Sequence, residues 1–243
     1  MKKILLGALI LFTISPRSFA QREIDHPTEG DKHFPYMGFS DVTFPIAIPG
    51  KDYSLSTLID GQNISGTPFM ADDWRKGTIL LKNGALYENY KLKYDIYHQE
   101  LLFLTKGKEM VVTDPVQEFI IADDKGDLHH FINADMYKNL DHQQFYEILL
   151  IENRGHLLKA NSMTIANSDE IANAKVNKYL KPREAYYYYD KATGITRQFN
   201  FSSTSVEKAL QLTPEQENAL SFPGYHFNDE SDIMKFFRVY LQS

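Results

Sequence analysis

A run of four tyrosines in the stretch AYYYYDKATGITRQFNF is the most conspicuous group of candidate binding residues. Residues 190–194 predict a hairpin turn that ends on a glycine, the residue that most readily adopts a left-handed backbone. If Tyr189 pairs with Ile195, Tyr186 and Tyr188 lie on the polar face of the strand, and a shift of one residue would reverse the faces. On that face the pair could stack on a sugar ring or a partner's side chain, and it is the candidate binding pair. Packing across the strands, or cover by the C-terminal helices, is the favoured explanation of the same pattern.

Trp74 is the third candidate binding residue and the only tryptophan of the chain. It precedes the first clear strand, where a single tryptophan typically fills a gap in the core. A ligand platform is the alternative.

Two stretches contain residue types that bind metals. ADDKGDLHH combines Asp123, Asp124 and Asp127 with His129 and His130. It lacks the spaced acidic series of a calcium loop, and successive histidines of a strand point to opposite faces, so a hairpin turn is favoured. The histidines of DHPTEGDKH, at positions 25–33, match no ligand spacing. We predict neither a metal nor any other cofactor.

Catalytic motifs give no lead. The sequence has no Gly-x-Ser-x-Gly, Ser-x-x-Lys or His-Glu-x-x-His pattern and no phosphate-binding glycine loop. It also has no cysteine, which excludes disulfides, thiolate chemistry and a lipid anchor on cysteine. We therefore predict no catalytic residues, although two carboxylates facing each other across a cleft would suffice for a glycosidase.

The amino terminus MKKILLGALILFTISPRSFA is typical of a signal peptide. A basic start precedes a short apolar run, and small residues stand at the two positions that a signal peptidase reads, so we predict cleavage after Ala20. Cleavage would take the formal charge from −6 to −9 by removing Lys2, Lys3 and Arg17. A negative chain lacks the basic surface that nucleic acids require. We expect an exported protein, periplasmic or secreted, with no transmembrane segment after cleavage.

Turn signals divide the remaining chain into short elements. Residues 21–50 are predicted as an extended lead-in, and residues 51–243 as a single β-rich domain whose helical tail starts at about residue 204. Asn83-Gly84 and several later turn pairs separate strands of four to eight residues, and short loops make neighbouring strands antiparallel. A short helix is predicted at 168–180. The predicted fold is α+β: mainly an antiparallel β-meander, curled or barrel-like, with short C-terminal helices packed on it.

The stretch GTPFMADDWRKGTILLKNGALYENYKLKYDIY carries a resemblance to known sequences. The matching positions are Gly66, Thr67, Pro68, Phe69, Trp74, Gly77, Asn83, Gly84, Leu92, Lys93, Tyr94, Asp95 and Tyr97. With these residues the chain resembles an uncharacterised family of exported, signal-peptide-bearing Bacteroidota proteins of unknown function. The C-terminal helices are similar to the family's tail, but differ in having few lysines in the middle helix. The resemblance implies an envelope or secreted location and no activity.

Three functions are compatible with these features. The first is a non-catalytic envelope protein that binds a protein or an outer-membrane-associated component, through an exposed apolar or aromatic surface. The second is a periplasmic hydrolase acting on glycans with two carboxylates in a deep pocket. The third is a carrier that encloses a small apolar ligand inside the curled sheet.

Overall fold

A computed structural model describes residues 47–53, 64–167, 178–219 and 224–242. The predicted signal peptide, 1–20, and residues 21–46 of the predicted lead-in lie outside these ranges. Among the described residues, no helix has both the length and the apolarity needed to cross a membrane.

The described residues include twelve strands that belong to one sheet. They are β1 (Gly50–Asp52), β2 (Ile64–Ser65), β3 (Arg75–Leu81), β4 (Leu86–Asp95), β5 (Glu100–Thr105), β6 (Lys108–Val112), β7 (Val116–Ala122), β8 (Leu128–Asn133), β9 (Phe145–Ile151), β10 (Gly155–Asn167), β11 (Lys178–Asp190) and β12 (Ile195–Phe199).

The strands form a broad, open and mostly antiparallel sheet. Its order is β1-β6-β5-β4-β3-β7-β8-β9-β10-β11-β12, and β2 pairs in parallel with β11. The order contains two runs of strands that are neighbours in sequence, β3 to β6 and β7 to β12, and antiparallel pairing of β3 with β7 joins them. The predicted β-rich, antiparallel character is thus confirmed, whereas the sheet as a whole is not clearly a meander.

Tight turns separate the strands where the sequence predicted them. Gly84 has a φ of 84°, and the side chain of Asn83 accepts a hydrogen bond from the backbone N–H of Ala85 at 3.0 Å. Gly107 and Gly194 also have positive φ values, of 76° and 67°. Because glycine adopts this backbone without a steric penalty, the glycines define where the strands reverse.

Three helices are described after the last strand: α1 (Ser203–Leu210), α2 (Pro214–Ala219) and α3 (Glu230–Gln242). Ser202 caps α1, and a reciprocal pair of hydrogen bonds between Thr213 and Gln216 forms the predicted capping box of α2. The apolar face predicted for α3 is buried, with Phe236 and Phe237 fully inaccessible.

The predicted helix at 168–180 is wrong at its end, because Lys178–Leu180 begins β11. Residues 168–177 lie outside the described residues. β10 and β11 pair over 13 residues each, from the Gly155–Asp190 pair to the Asn167–Lys178 pair. Residues 178–180 therefore belong to the long hairpin, although the local sequence pattern predicted a helix. Here strand pairing outweighs the local helix propensity.

The apolar core consists of layers on the two faces of the sheet. One face carries an aromatic cluster around Tyr94, Phe119 and Phe131, and, further along, a second cluster beneath α1 and α3. The other face carries a third cluster, covered by the segment that joins β8 to β9, including Tyr137 and Leu140. The helices and this segment thus cover opposite faces of the C-terminal half of the sheet.

Candidate functional site

One row of side chains crosses six strands of the sheet. It is aromatic at both ends and charged in the middle. Residues that pair directly across neighbouring strands project to the same face. From β7 to β12, the row consists of Phe119, Phe131, Glu147, Lys159, Tyr186 and Phe199. Two ionisable residues therefore stand between the aromatic cluster and the helix-covered cluster.

His129 provides one half of the charged region. It is two residues before Phe131 on β8 and so projects to the same face. Its Nδ1 lies 2.6 Å from Oε1 of Glu147, whose side chain is only 8% exposed, and its Nε2 lies 3.8 Å from Oδ2 of Asp123. The imidazole is thus held between two carboxylates.

The carboxylate of Asp123 is fixed by its own turn. The backbone N–H groups of Lys125 and Asp127 each donate to its Oδ1 at 2.8 Å. Burial alone would raise the pKa of Asp123, but these hydrogen bonds and the charge of His129 outweigh burial and lower it. The group is therefore a negative charge with a fixed orientation.

Lys159 provides the other half of the charged region. Its Nζ lies 2.9 Å from Glu184 and 2.9 Å from Glu230 at the start of α3. Burial would lower the pKa of Lys159, but the two hydrogen-bonded carboxylates outweigh this effect and raise it. The hydroxyl of Tyr186 lies within hydrogen-bond distance of the same two carboxylates, at 3.0 and 2.7 Å. The lysine therefore links the sheet to the last helix.

A cleft of about 470 Å³ opens over this region and is called the charged cleft below. Its polar lining comes from Arg75, Asp123, Asp124, His129, Glu147, Lys159, Asn161, Ser162, Arg183 and Glu184, and its apolar lining includes Phe69, Met70, Ile96, Met163 and Pro182. Arg75 forms an ion pair with Asp124. The volume falls within the range of small-molecule sites, and the mixed lining can contact both polar and apolar parts of a bound molecule.

The predicted register of the tyrosine hairpin is wrong by one residue. Ile195 pairs with Asp190, and Tyr189 pairs with Thr196. The faces are therefore reversed: Tyr186 and Tyr188 are 6% and 2% exposed and belong to the cluster beneath α1 and α3. The assignment of this pair to the polar face is wrong, and cover by the C-terminal helices, the favoured explanation of the tyrosine run, is confirmed. Only the hydroxyl of Tyr186 approaches the charged cleft, through its hydrogen bond to Glu184.

Burial also governs the chemistry of these two phenols. Burial raises the pKa of Tyr186, and hydrogen bonds to Glu230 and Glu184 raise it further. Burial likewise raises the pKa of Tyr188, assisted by Tyr240. Both side chains therefore remain neutral hydrogen-bond donors at physiological pH.

Trp74 lies half-buried on a small cluster formed by Phe69, Leu102 and Val111. The ammonium group of Lys93 lies 4.8 Å from the centre of its ring and 4.7 Å from that of Phe69. Trp74 thus packs against the edge of the core without being enclosed by it. Phe69, rather than Trp74, contributes to the charged cleft.

The two adjacent histidines point to opposite faces, as the strand periodicity predicted. His129 faces the charged cleft, whereas the Nε2 of His130 lies 2.7 Å from Oε2 of Glu118 on the other face, where both side chains are at most 2% exposed. Among the described residues, no group of three or more histidine, cysteine or acidic side chains is arranged to hold a metal ion.

The sequence did not reveal the residues that form the charged cleft. Glu147 and Lys159 belong to predicted strands, but their pairing with His129 and Glu230 spans 18 and 71 positions. The available signal was a charged residue at an inward position of an otherwise apolar strand, as in FYEILLI, where the glutamate interrupts an apolar run. Buried charges of this kind are expensive unless paired.

Comparisons of the chain with protein-family models, with curated proteins and with solved structures found no match.

Proposed function

We propose that the protein is exported and acts without catalysis, by binding a protein or an outer-membrane-associated component in the charged cleft. The observation that carries this proposal is the set of polar groups held in place by one another. Glu147 orients His129, and Glu184 and Glu230 hold Lys159. Groups already fixed before binding lose little conformational entropy when a ligand arrives, which favours recognition.

We also propose that the sheet around the cleft is curled into a partial barrel. Gln99, in the turn between β4 and β5, donates to the backbone carbonyl of Asn161 on β10 at 3.0 Å and accepts from the backbone N–H of Phe145 on β9 at 3.0 Å. The ring of Tyr94 on β4 lies 5.9 Å from that of Phe145. Since β3, β7 and β8 separate β4 from β9 in the sheet, these contacts support a sheet that bends back toward itself.

The amino-acid sequence alone supports the proposed location and the proposed family relationship. The signal-peptide pattern supports export, to the periplasm or out of the cell, and the resemblance to an exported Bacteroidota family supports an envelope role. The mixed lining of the cleft suits a polypeptide segment or another molecule that carries charged groups on an apolar frame.

Affinity purification from envelope extracts, followed by titration of the purified partner, tests the proposal. Glu184→Lys adds a second positive charge beside Lys159, at a residue whose side chain is half exposed. Glu88→Lys makes the same change at an exposed position of β4 and serves as the control. We expect saturable binding that Glu184→Lys weakens at least about tenfold and Glu88→Lys leaves unchanged. Equal effects of the two changes, or no stoichiometric partner, would contradict a binding role for the cleft.

A glycan hydrolase is the second candidate, favoured by the two carboxylates of Asp123 and Glu147 on either side of His129 in one cleft. Glycosidases use such carboxylate pairs as acid and as base or nucleophile. Release of reducing ends from purified envelope glycans, lost in Asp123→Asn and in Glu147→Gln, would favour this candidate over binding alone. The carrier of an apolar ligand is less well supported, because the rings of Tyr94, Phe119 and Phe131 pack against one another inside the bend.

A further inference from the structure

Strand β10 continues past the point where its neighbour β9 stops pairing with it. The pairing ends at Ala160, whereas β10 runs on to Asn167. At the next position the side-chain amide of Gln99 donates to the carbonyl of Asn161 and accepts from the N–H of Phe145, both at 3.0 Å. This amide takes the place of one backbone pairing between β9 and β10, and no described strand continues the pairing beyond it.

One side of β10 therefore has unpaired backbone groups after Asn161. Successive residues of a strand direct their N–H and C=O groups alternately to its two sides. Because the carbonyl of Asn161 points to the β9 side, the backbone groups of Met163, Ile165 and Asn167 point there as well. Within the described part of the chain, these groups have no hydrogen-bond partner on that side. We call these three residues the β10 edge.

The outer side of β11, the other strand of the long hairpin, is protected against strand addition. Pro182 pairs with Met163, so its ring occupies the position of an N–H that would point to the outer side. β2 pairs with Lys178 and Tyr179 on the same side. Proline and short covering strands are common ways of blocking a sheet edge. Residues 161–167 contain no proline, so the β10 edge lacks this protection.

The β10 edge borders the charged cleft. Asn161, Ser162 and Met163 line the cleft. Met163 also packs against the aromatic cluster around Tyr94, and Ile165, two residues along the strand and on the same face, is 42% exposed. A strand placed beside the β10 edge would bring alternate side chains next to these two apolar residues.

We propose that the partner of the charged cleft binds as an extended polypeptide segment that adds a strand to the β10 edge. Its backbone exchanges hydrogen bonds with Met163, Ile165 and Asn167, and its alternate apolar side chains contact the first two. A polypeptide backbone repeats donors and acceptors at the spacing that this edge requires. The inference specifies the ligand of the charged cleft and so rests on the proposed function.

Titration calorimetry of the mature chain with the peptide acetyl-KVTVTVK-amide tests the proposal. Two derivatives carry three N-methyl groups each, one on the valines and the other on the threonines and the last lysine. Because N–H groups of alternate residues face opposite sides of a strand, we expect at least about tenfold weaker binding of one derivative and unchanged binding of the other. The orientation of the added strand decides which derivative fails, and loss of either one alone supports the proposal.

Three outcomes of this titration overturn strand addition. They are equal affinities of all three peptides, loss of binding for both derivatives, and no saturable binding of the parent peptide. The last result is also the one expected if another segment of the same chain already fills the edge.

Proline variants locate the binding. Ile165→Pro removes an N–H of the β10 edge that takes no part in the pairing with β11. Asp52→Pro removes an outward N–H of β1, at the far end of the strand order, and serves as the control. We expect at least about tenfold weaker binding of the parent peptide by Ile165→Pro alone, and equal binding by both variants overturns the site. The methylated peptides report on the unaltered protein, so the test does not depend on the stability of a proline variant.

Two further results separate strand addition from its rivals. Light scattering should show a monomer, and a dimer that dissociates in Ile165→Pro would place a second copy of the chain at the β10 edge and overturn the proposal. Binding of the envelope partner that Glu184→Lys weakens but Ile165→Pro leaves unchanged would retain the proposed function and reject strand addition alone.

Discussion

Gly77 of β3 lies between β4 and β7, at a position with no room for a side chain. A methyl group at this position would lie 2.3 Å from the backbone oxygen of Ile120 on β7 and 2.5 Å from Cδ1 of Leu92 on β4. Both distances are far inside van der Waals contact, and the first atom belongs to the backbone, which cannot rotate away. The residue thus fixes the β3–β7 junction that joins the two halves of the sheet.

Gly77→Ala is therefore expected to destabilise the fold by about 1–3 kcal/mol, the usual cost of forcing an extra methyl group into a packed interior. Lys76→Ala, at the preceding exposed residue of β3, should change stability by less than about 0.5 kcal/mol. Urea unfolding followed by tryptophan fluorescence measures both values. A Gly77→Ala protein as stable as Lys76→Ala would show that the junction is not tightly packed.

Several residues of the sequence resemblance have structural roles of this kind. The carboxylate of Asp95 is fully buried and accepts hydrogen bonds from the backbone N–H groups of Tyr97 and His98, at 3.0 and 2.9 Å. Asn83 and Gly84 form the turn before β4. Such local roles are visible in sequence because a turn involves neighbouring residues. The ion pairs of the charged cleft join residues far apart in sequence, so they depend on a register that no local pattern encodes.

At the scale of elements, α3 is held to the sheet by aromatic contacts. The ring of Phe237 is fully buried, with its centre 5.4 Å from that of Phe199 on β12 and 5.8 Å from that of Tyr188 on β11. Glu230, at the start of the same helix, binds Lys159 of the charged cleft. Packing of the helix therefore also positions one wall of the site.

Phe237→Ala should cost about 3–5 kcal/mol, because it removes a buried ring and leaves a cavity. Val239→Ala, two positions along the same helix but half exposed, should cost about 0.5 kcal/mol or less beyond the helix-propensity difference. Denaturant midpoints of the two variants give the comparison. Similar losses in both would mean that α3 contributes little to the cooperative unit.

Turn signals predicted most of the strands and the C-terminal helices, but neither the length of the β10–β11 hairpin nor the register of the tyrosine hairpin. The sequence predicted a hairpin loop of five residues, 190–194. In the structure Asp190 pairs with Ile195 as the last pair of the two strands, so the loop has four residues, 191–194. Its side chain accepts from the N–H of Ala192 at 3.0 Å and from the hydroxyl of Thr193 at 2.8 Å. One residue of loop length exchanges the two faces of a strand, which is why Tyr186 and Tyr188 were assigned to the wrong face.

At the scale of the whole molecule, the two halves of the sheet meet through pairings between distant parts of the chain. The β3–β7 pair joins residues about forty positions apart, such as Gly77 and Ile121, and no periodicity within either strand specifies this partner. The charged cleft lies across these halves, with lining from Arg75 on β3 and from Arg183 on β11. The cleft is therefore a property of the assembled sheet, and could not be predicted from either half alone.

The dependence of global stability on pH follows from His156 on β10. Its side chain is buried, and its Nδ1 lies 2.9 Å from the hydroxyl of Tyr137, in the segment that covers this face. Burial, with a smaller contribution from the charge of Lys191, lowers the pKa of His156 from 6.5 to about 4. The unfolded chain therefore takes up a proton between pH 6.5 and pH 4 that the folded chain resists.

Because the folded-state pKa is the lower one, the stabilisation is complete above about pH 6.5 and is lost as the pH falls to about 4. The loss attributable to His156 is of the order of 3 kcal/mol. His156→Gln should be less stable at pH 7 but should lose less stability on acidification, whereas His226→Gln, at an exposed position, should follow the wild-type curve. Urea unfolding free energies from pH 7 to pH 4 provide the measurement. If wild type and His156→Gln lose the same unfolding free energy between pH 7 and pH 4, the acid sensitivity arises from other groups. The neutral imidazole of His156 would then not be the group that holds the covering segment on the sheet.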